Sequence, residues 1–509
     1  MDLADTFLFL LTGVFLLFWW RRCSTSGKTV RNLPPAVPGW PLVGNLFQVI
    51  MERRPFIYVV ADLRKKYGPI FTLQMGQRKM VIVTSSELTH EALVQRGPLF
   101  ATRPPDSPIR LVFSMGKCAI NSAEYGPLWR TLRRNFVTEM ISPTRVRQCA
   151  WIRKWAFETH LERMKKEGLE NGYVEVMNNC RLTICSILIC ICFGAKISEE
   201  WIRDIESVLK DVMMMTSPKL PDFLPVLTPL FRGHLKAAKE LRKKQLKCVT
   251  PLIKGRRAYV ESGGNPASTS LTMASAIGAA YVDSLFGLEA PTRGKLGDDE
   301  LVTLVSEIIS AGTDTSATAT EWALLHLVQD HDIQQRLYEE VVGVVGKDGS
   351  IAEEDTEKMP FLSAIVKETF RRHPPSHFML SHGAIKETEL AGYTIPTDVS
   401  VEFYTAWHTQ NPDAWKDPDE FRPERFLPGG EGYDVDITGT KAIRMMPFGA
   451  GRRICPAWSL GLLHINMMLA RMIQAFKWVP FPGSPPDPTE TYAFTIVMKN
   501  PLKAVILPR

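Results

Sequence analysis

"FGAGRRICPA", residues 448–457, sets one cysteine among small residues, two arginines and a proline. The chemistry of Cys455 decides what kind of chain this is. Four roles compete for it: disulfide partner, zinc ligand, nucleophile, or axial ligand to an iron. Phe448 is followed by Gly449, Ala450 and Gly451, whose small bulk permits close backbone approach to a flat ligand. Arg452 and Arg453 supply charge that favours a thiolate. Pro456 removes a backbone donor just after it. The apolar run "SLGLLHINMMLARMIQAF" then reads as a helix, and the dipole at its N-terminus also favours an anion at Cys455. Taken alone, the stretch is weak evidence, and a buried structural thiol is its more common meaning.

The rest of the chain narrows the choice. It has 509 residues, 45% apolar and 23% charged, a composition that folds. The nine cysteines (Cys23, Cys118, Cys149, Cys180, Cys185, Cys190, Cys192, Cys248 and Cys455) are odd in number and irregularly spaced. Without paired CxxC units they argue against structural zinc. That absence and the absence of Asn-x-Ser/Thr acceptors both suit a reducing compartment. Cys180 to Cys192 lies in an apolar run and reads as buried thiols of a core helix. A net charge of +7 is too thin over this length for nucleic acid. It suits a patch for an acidic partner or an anionic membrane.

"LADTFLFLLTGVFLLFWWRR", residues 3–22, is near-apolar from Thr6 to Trp20, close to the short limit of roughly 17 to 25 residues for a span. Asp2 and Asp5 precede it; Arg21 and Arg22 follow. A cleaved signal peptide has the opposite order, and the positive-inside rule leaves the rest of the chain in the cytosol. The sequence therefore divides into an anchor, 1–22, a basic and proline-rich linker, 23–41, and one large domain, 42–509. Pro34, Pro35, Pro38 and Pro41 make the linker stiff and extended. "KMVIVTSS", 79–86, predicts a strand. "KWAFETHLERMKKEG" and "IQQRLYEEVVGVVG" predict amphipathic helices, and 261–280 a surface loop. The fold class is mainly α with a minor β subdomain.

Three more patterns carry chemistry. An apolar helix over 301–328 contains Gly312, Thr313, Asp314, Thr315 and Ser316 in succession. These are poor helix formers, glycine alone costing about 1 kcal/mol against alanine. A local functional distortion is expected there, with a threonine hydroxyl bonding the carbonyl four residues back. "ETFR" sets Glu368 and Arg371 on one helix face, and "FRPERF" offers Arg425 to the same network. "WRTLR" contributes Trp129 and Arg133.

Together with Phe448-x-x-Gly451-x-Arg453-x-Cys455, these motifs in this order resemble the cytochrome P-450 superfamily, the heme-thiolate monooxygenases. The family pattern has glycine where this chain has Ala457. The resemblance implies the cytochrome P-450 fold and heme b (iron protoporphyrin IX), with Cys455 as metal ligand beside Phe448. It implies that Trp129, Arg133, Arg453 and His382 contact the heme carboxylates. Thr315 and Asp314 become the catalytic pair, Thr315 serving bound dioxygen and Asp314 relaying protons. Relatives that rearrange peroxides usually lose such a pair, and a heme sensor has no need of one.

Gly449-Ala450-Gly451 lacks the third glycine and the context of a dinucleotide loop. The resemblance thus implies an NADPH- and O2-dependent enzyme fed by a separate flavoprotein, NADPH-cytochrome reductase. Arg130, Arg134, Lys441, Arg444 and Arg452 are candidates to dock it. Membrane lipid would hold the anchor, single-pass, in the endoplasmic reticulum. Substrate-facing candidates are "PPDSPIRLVFSMG", "VMMMTSPKLPDFLPVLTPLF", "HFMLS" and "YAFTIVM", apolar as a pocket for an apolar molecule requires. The texture of "LPPAVPGWPLVGNLFQV" and "KYGPIFTLQMG" resembles plant microsomal members, closest to a group that hydroxylates or epoxidises fatty acids in mid-chain. In-chain oxidation of a long-chain fatty acid is the expectation; a phenolic or terpenoid metabolite is the alternative.

Overall fold

The stretch Val176–Phe193 has a mean hydropathy of 1.8, long and apolar enough to cross a membrane, yet 89% of it is buried inside the protein. A helix apolar all round belongs in a core. Cys180, Cys185, Cys190 and Cys192 are buried free thiols within it, as the sequence leads one to expect. The other elements are arranged about this helix.

The structure is a computed structural model describing Gly13 and residues 32–265, 278 and 280–509. The expected anchor, apart from Gly13, and most of the 261–280 loop lie outside the described residues. In chain order, the elements that position the site begin with strands β1 (Ile70–Met75) and β2 (Arg78–Val83). Helices α1 (Pro127–Glu139), α2 (Ala150–Asn171), α3 (Val176–Phe193) and α4 (Glu199–Met215) follow. Then come α5 (Arg232–Glu261), α6 (Asp298–Gln329), α7 (His331–Val345) and α8 (Pro360–Arg372). Strand β3 (Ser400–Phe403), helix α9 (Trp458–Ala475) and strands β4 (Glu490–Ala493) and β5 (Thr495–Met498) complete the set.

The helices expected over 154–168 and 333–346 are α2 and α7. The expected strand is β2, which ends at Val83 because Ser85 caps the next helix, accepting from Leu88 N–H at 3.2 Å. β2 pairs antiparallel with β1, Ile70 facing Val83, and parallel with β3, Met80 facing Ser400. The proline-rich stretch lies along β1: Pro35 O accepts from Thr72 N–H at 2.8 Å and Val37 N–H donates to Thr72 O at 3.0 Å.

α6 packs along α3. Gly312 makes this possible, because a Cβ there would stand 2.7 Å from Leu188 Cδ1. α6 is helical without interruption from Asp298 to Gln329, so the weak helix formers at 312–316 do not break it. Packing on α3 overrides the weak local propensity, as tertiary contacts commonly do.

Candidate functional site

The Cys455 loop is a tight turn. Cys455 N–H donates to Phe448 O at 2.8 Å. Gly449 and Gly451 have φ of 73° and 70°, the left-handed region that favours glycine. A side chain on Gly451 would run into the Leu93 backbone, so the close approach served there is to the protein itself. Ala457 has φ −99°, where a methyl costs no strain. The Phe448 ring meets Phe370 at 5.1 Å and 65°, tying the loop to α8.

Burial raises the Cys455 thiol; the Ala457 N–H and Arg133 oppose it. Arg133 reaches the loop by donating to Ile454 O at 2.6 Å. The sequence credits Arg452 and Arg453 with this charge, and the structure corrects it. Arg452 is exposed. Arg453 turns away to donate to Ala101 O, Ile120 O and Ala123 O at 2.7, 3.1 and 2.6 Å.

Behind the loop, Arg371 Nε and Nη2 grip Glu368 at 2.7 and 2.9 Å, and both side chains are fully buried. Arg425 Nε stands 3.3 Å from Glu368 Oε1, and the Arg422 N–H donates to the same oxygen at 2.8 Å. Arg371 also donates to Thr409 O, Pro418 O and Glu420 O. The expected network of Glu368, Arg371 and Arg425 is thus assembled, with nearly every polar group paired, as burial demands.

A second cationic cluster lies on the other side of the loop. The Trp129 ring sits 5.9 Å from the Arg133 guanidinium and 4.9 Å from that of Arg453. Arg103, which sequence reasoning missed, donates to Leu380 O and Ser381 O at 2.9 and 2.7 Å and faces His382 Nδ1 at 3.5 Å. Burial lowers Arg103 to about 10. Burial, Arg103 and Arg133 lower Arg453 to about 9. Burial, with Arg103 and Arg453 beside it, also holds His382 neutral. Its Nδ1 faces the Arg103 guanidinium, which leaves Nε2 as the donor nitrogen. Trp129 Nε1 and His382 Nε2 are buried with no hydrogen-bond partner among the described residues.

On α6 the expected pair separates. Thr315 Oγ1 donates to Ala311 O at 2.8 Å, the predicted bond four residues back, and Ala311 is exposed beside it. Asp314 points to α3 instead, where it is ion-paired with Arg181. Arg181 Nε in turn holds Glu206 Oε1 at 2.6 Å. Asp314 Oδ2 and Thr313 Oγ1 are buried without partners among the described residues. Thr313 also lines a narrow crevice with Arg181, Cys185, Glu206 and Lys210.

A family model described as Cytochrome P450 matches residues 34–507. The chain belongs to the cytochrome P450 family. Cytochrome P450 89A9 of Arabidopsis thaliana is 36% identical over 497 residues, covering 94% of each chain. A trans-cinnamate 4-monooxygenase of Petunia hybrida is 30% identical over 90% of each. A flavonoid 3',5'-hydroxylase of Crocosmia x crocosmiiflora is 29% identical over all of this chain and 98% of its own. A zebra fish cytochrome P450 solved with progesterone has a TM-score of 0.73 at 21% identity, covering 90% of this chain and all of its own, which shows the shared fold.

The cofactor of this P450 is heme, and the residues present fit it. Three guanidinium groups, Arg103, Arg133 and Arg453, gather beside Trp129 Nε1 and His382 Nε2. Buried donors without acceptors are costly, and two carboxylates satisfy both the donors and the charge. Glu307, also missed in the sequence, braces this region from α6. Its carboxylate accepts from Ile120 N–H at 2.8 Å and Asn121 N–H at 2.6 Å. Burial raises Glu307 to about 7, against those two amides and the charges of Arg453 and Arg103. Ile120 is thereby held at both ends, its N–H by Glu307 and its carbonyl by Arg453.

Proposed function

We propose that this P450 monooxygenase binds heme iron through Cys455 and oxidises an apolar molecule on the Ala311–Thr315 face of α6. Trp129 Nε1 and His382 Nε2, buried donors without partners among the described residues, stand among three arginines and carry the reading. Heme supplies the oxygen chemistry, and a thiolate ligand favours O–O cleavage. In this reading Trp129, Arg133, Arg453 and His382, joined by Arg103, bind the heme carboxylates. Phe448 packs the loop in place. Thr315 orients a proton at its Oγ1 once that hydroxyl leaves Ala311 O. Asp314 passes protons from the Arg181 and Glu206 side.

The electron donor proposed is NADPH-cytochrome reductase, docking on exposed Arg130, Arg134, Lys441 and Arg452. Arg444 drops out of that set. It is bonded to Glu431 O and Ala414 O and lies 4.4 Å from the Trp415 ring. Residues 1–22 are proposed as a single-pass anchor in the endoplasmic reticulum membrane, 23–41 as the linker and 42–509 as the catalytic domain. Exposed Trp40, Leu42, Val226 and Leu230 suit a surface resting on lipid.

For the substrate, the apolar segments support in-chain hydroxylation or epoxidation of a long-chain fatty acid. The cinnamate and flavonoid oxygenases among the relatives favour a phenolic molecule as the second reading. The test uses yeast microsomes carrying the full chain, reductase and NADPH, with C12 to C18 fatty acids, cinnamate and flavonoids, read by mass spectrometry. Oxygenated fatty acids are expected. Products from the phenolics alone would move the assignment to the second reading. The reduced carbon monoxide complex is expected to show the red-shifted Soret band of thiolate ligation, and Cys455→Ser to lose it. A serine variant that kept the band would remove Cys455 as ligand.

A further inference from the structure

The β4–β5 hairpin meets α6 one turn beyond Thr315. Thr495 Oγ1 lies 3.3 Å from Thr318 Oγ1, and Thr315 and Thr318, three residues apart, share a helix face. Trp322 Nε1 donates to Ile496 O at 2.9 Å, and Ile496 N–H donates to Pro375 O at 3.0 Å. At the hairpin's turn Phe494 has φ 71°, a conformation that bulky residues avoid. Contacts outside the hairpin must hold it there.

The base of the hairpin has such contacts, and they are polar and largely buried. Glu490 Oε1 is 3.1 Å from His373 Nδ1, and its Oε2 is 3.4 Å from His377 Nε2. His373 Nε2 is 3.0 Å from His326 Nε2. His326 lies in the last turn of α6, and His373 ends α8, two residues past Arg371. Trp322 stacks on His373 at 3.9 Å and 4°, and Phe421 on His326 at 3.8 Å and 8°.

The protons along this chain follow from donor rules. An ionised carboxylate only accepts, so His373 Nδ1 carries a hydrogen. In a neutral ring its Nε2 then holds the lone pair, and His326 Nε2 is the donor. Burial opposes charge on Glu490, but hydrogen bonds from His373 and His377 outweigh it and hold the carboxyl well below its ordinary value. Burial, with Arg371 and Arg372 close by, keeps His326 and His373 neutral. Each bond fixes the tautomer that makes the next, so the α6 end is coupled to the hairpin through the α8 end.

We propose that Glu490, acting through His373 and His326, is a latch that sets how far the β4–β5 hairpin stands from α6. It thereby determines which part of a substrate meets the Thr315 face. The proposal rests on reading residues 492–498 as substrate-facing. Glu490 is a positioning residue, because it acts through the hairpin.

The test compares the full chain, heme-loaded in yeast microsomes with reductase, as wild type, Glu490→Leu, His326→Leu, His326→Gln and the Glu490→Leu/His326→Leu double variant. Leucine at 490 removes the acceptor; glutamine at 326 keeps a donor, and leucine there does not. Three readouts are taken: the reduced carbon monoxide spectrum, the affinity for 1-phenylimidazole, and the position of oxygen in products. Glu490→Leu and His326→Leu are expected to keep the spectrum, weaken phenylimidazole binding at least fivefold and spread oxygen over more positions. His326→Gln should return to within twofold of wild type, and the double variant should be no worse than either single one. Wild-type affinity and product position in both single variants overturn the proposal, as do fully additive losses in the double. If Glu490→Leu fails to hold heme, His326→Leu decides alone, since His326 bonds His373 and not the hairpin. If wild type oxidises none of the panel, the substrate reading falls while the phenylimidazole arm still decides the latch.

Discussion

Around Cys455, charge and burial pull against each other. Burial pushes the thiol up, and one arginine, Arg133, offsets it from a neighbouring helix. Thr315 is held by Ala311 O until something displaces it. Thr315→Ala should therefore leave the Soret band intact while product per electron falls severalfold and peroxide rises, measured as NADPH consumed against product formed. Glu307 makes a prediction with a sign. Its carboxyl is raised from 4.5 to about 7, so its contribution to stability is full below 4.5 and is lost as pH rises through about 7. Between those values wild type should lose melting temperature relative to Glu307→Gln; parallel melting curves across that range would refute the assignment. Cys455, Phe448, Trp129 and Arg133 could be singled out because each sits in a short sequence pattern, although Arg133's partner Ile454 O is 321 positions away. Glu307 sits in no such pattern, and its two amide partners are 187 and 186 positions away. Arg103 and Arg181 were hidden for the same reason: only folding brings charges to them.

At the scale of elements, periodicity revealed α2 and α7, and apolar runs revealed α3 and α9. What the sequence misread was α6. Five weak helix formers suggested a local distortion, but Gly312 lets α6 approach Leu188, and the Asp314–Arg181 ion pair fastens the same stretch to α3. Asp314 and Thr315 are neighbours in the chain, yet a helix turns successive side chains by about 100°, and the two face different partners. The Glu368–Arg371 pair was legible as a spacing, though its burial was not. Because no water reaches it, Glu368→Ala should cost about 3–5 kcal/mol, the usual loss when one half of a buried pair is removed. Urea unfolding of the heme-loaded protein should show the midpoint falling accordingly. A change under about 1 kcal/mol, the scale of an exposed pair, would mean that Arg371's carbonyl contacts suffice without Glu368.

For the whole molecule, the proposed anchor places the catalytic domain in the cytosol. Protease added to sealed microsomes should digest the domain, and full protection would reverse the topology. One architectural detail reaches further. A single side chain, Arg453, binds carbonyls at Ala101 and again at Ile120 and Ala123, so the chain leaves one guanidinium, wanders through residues 102–119 and returns to it. That excursion contains the apolar segment 104–116, while its two ends are fixed beside the cysteine loop. Such a segment is expected to act like an exchangeable cartridge, seated by Ile109 and Phe113 against α4 and α5 and socketed at both ends. Grafts from relatives should keep the reduced carbon monoxide spectrum when they preserve Ala101, Arg103 and the spacing from Ile120 to Ala123. Substrate preference then has a place to change without disturbing the groups proposed to hold the heme carboxylates.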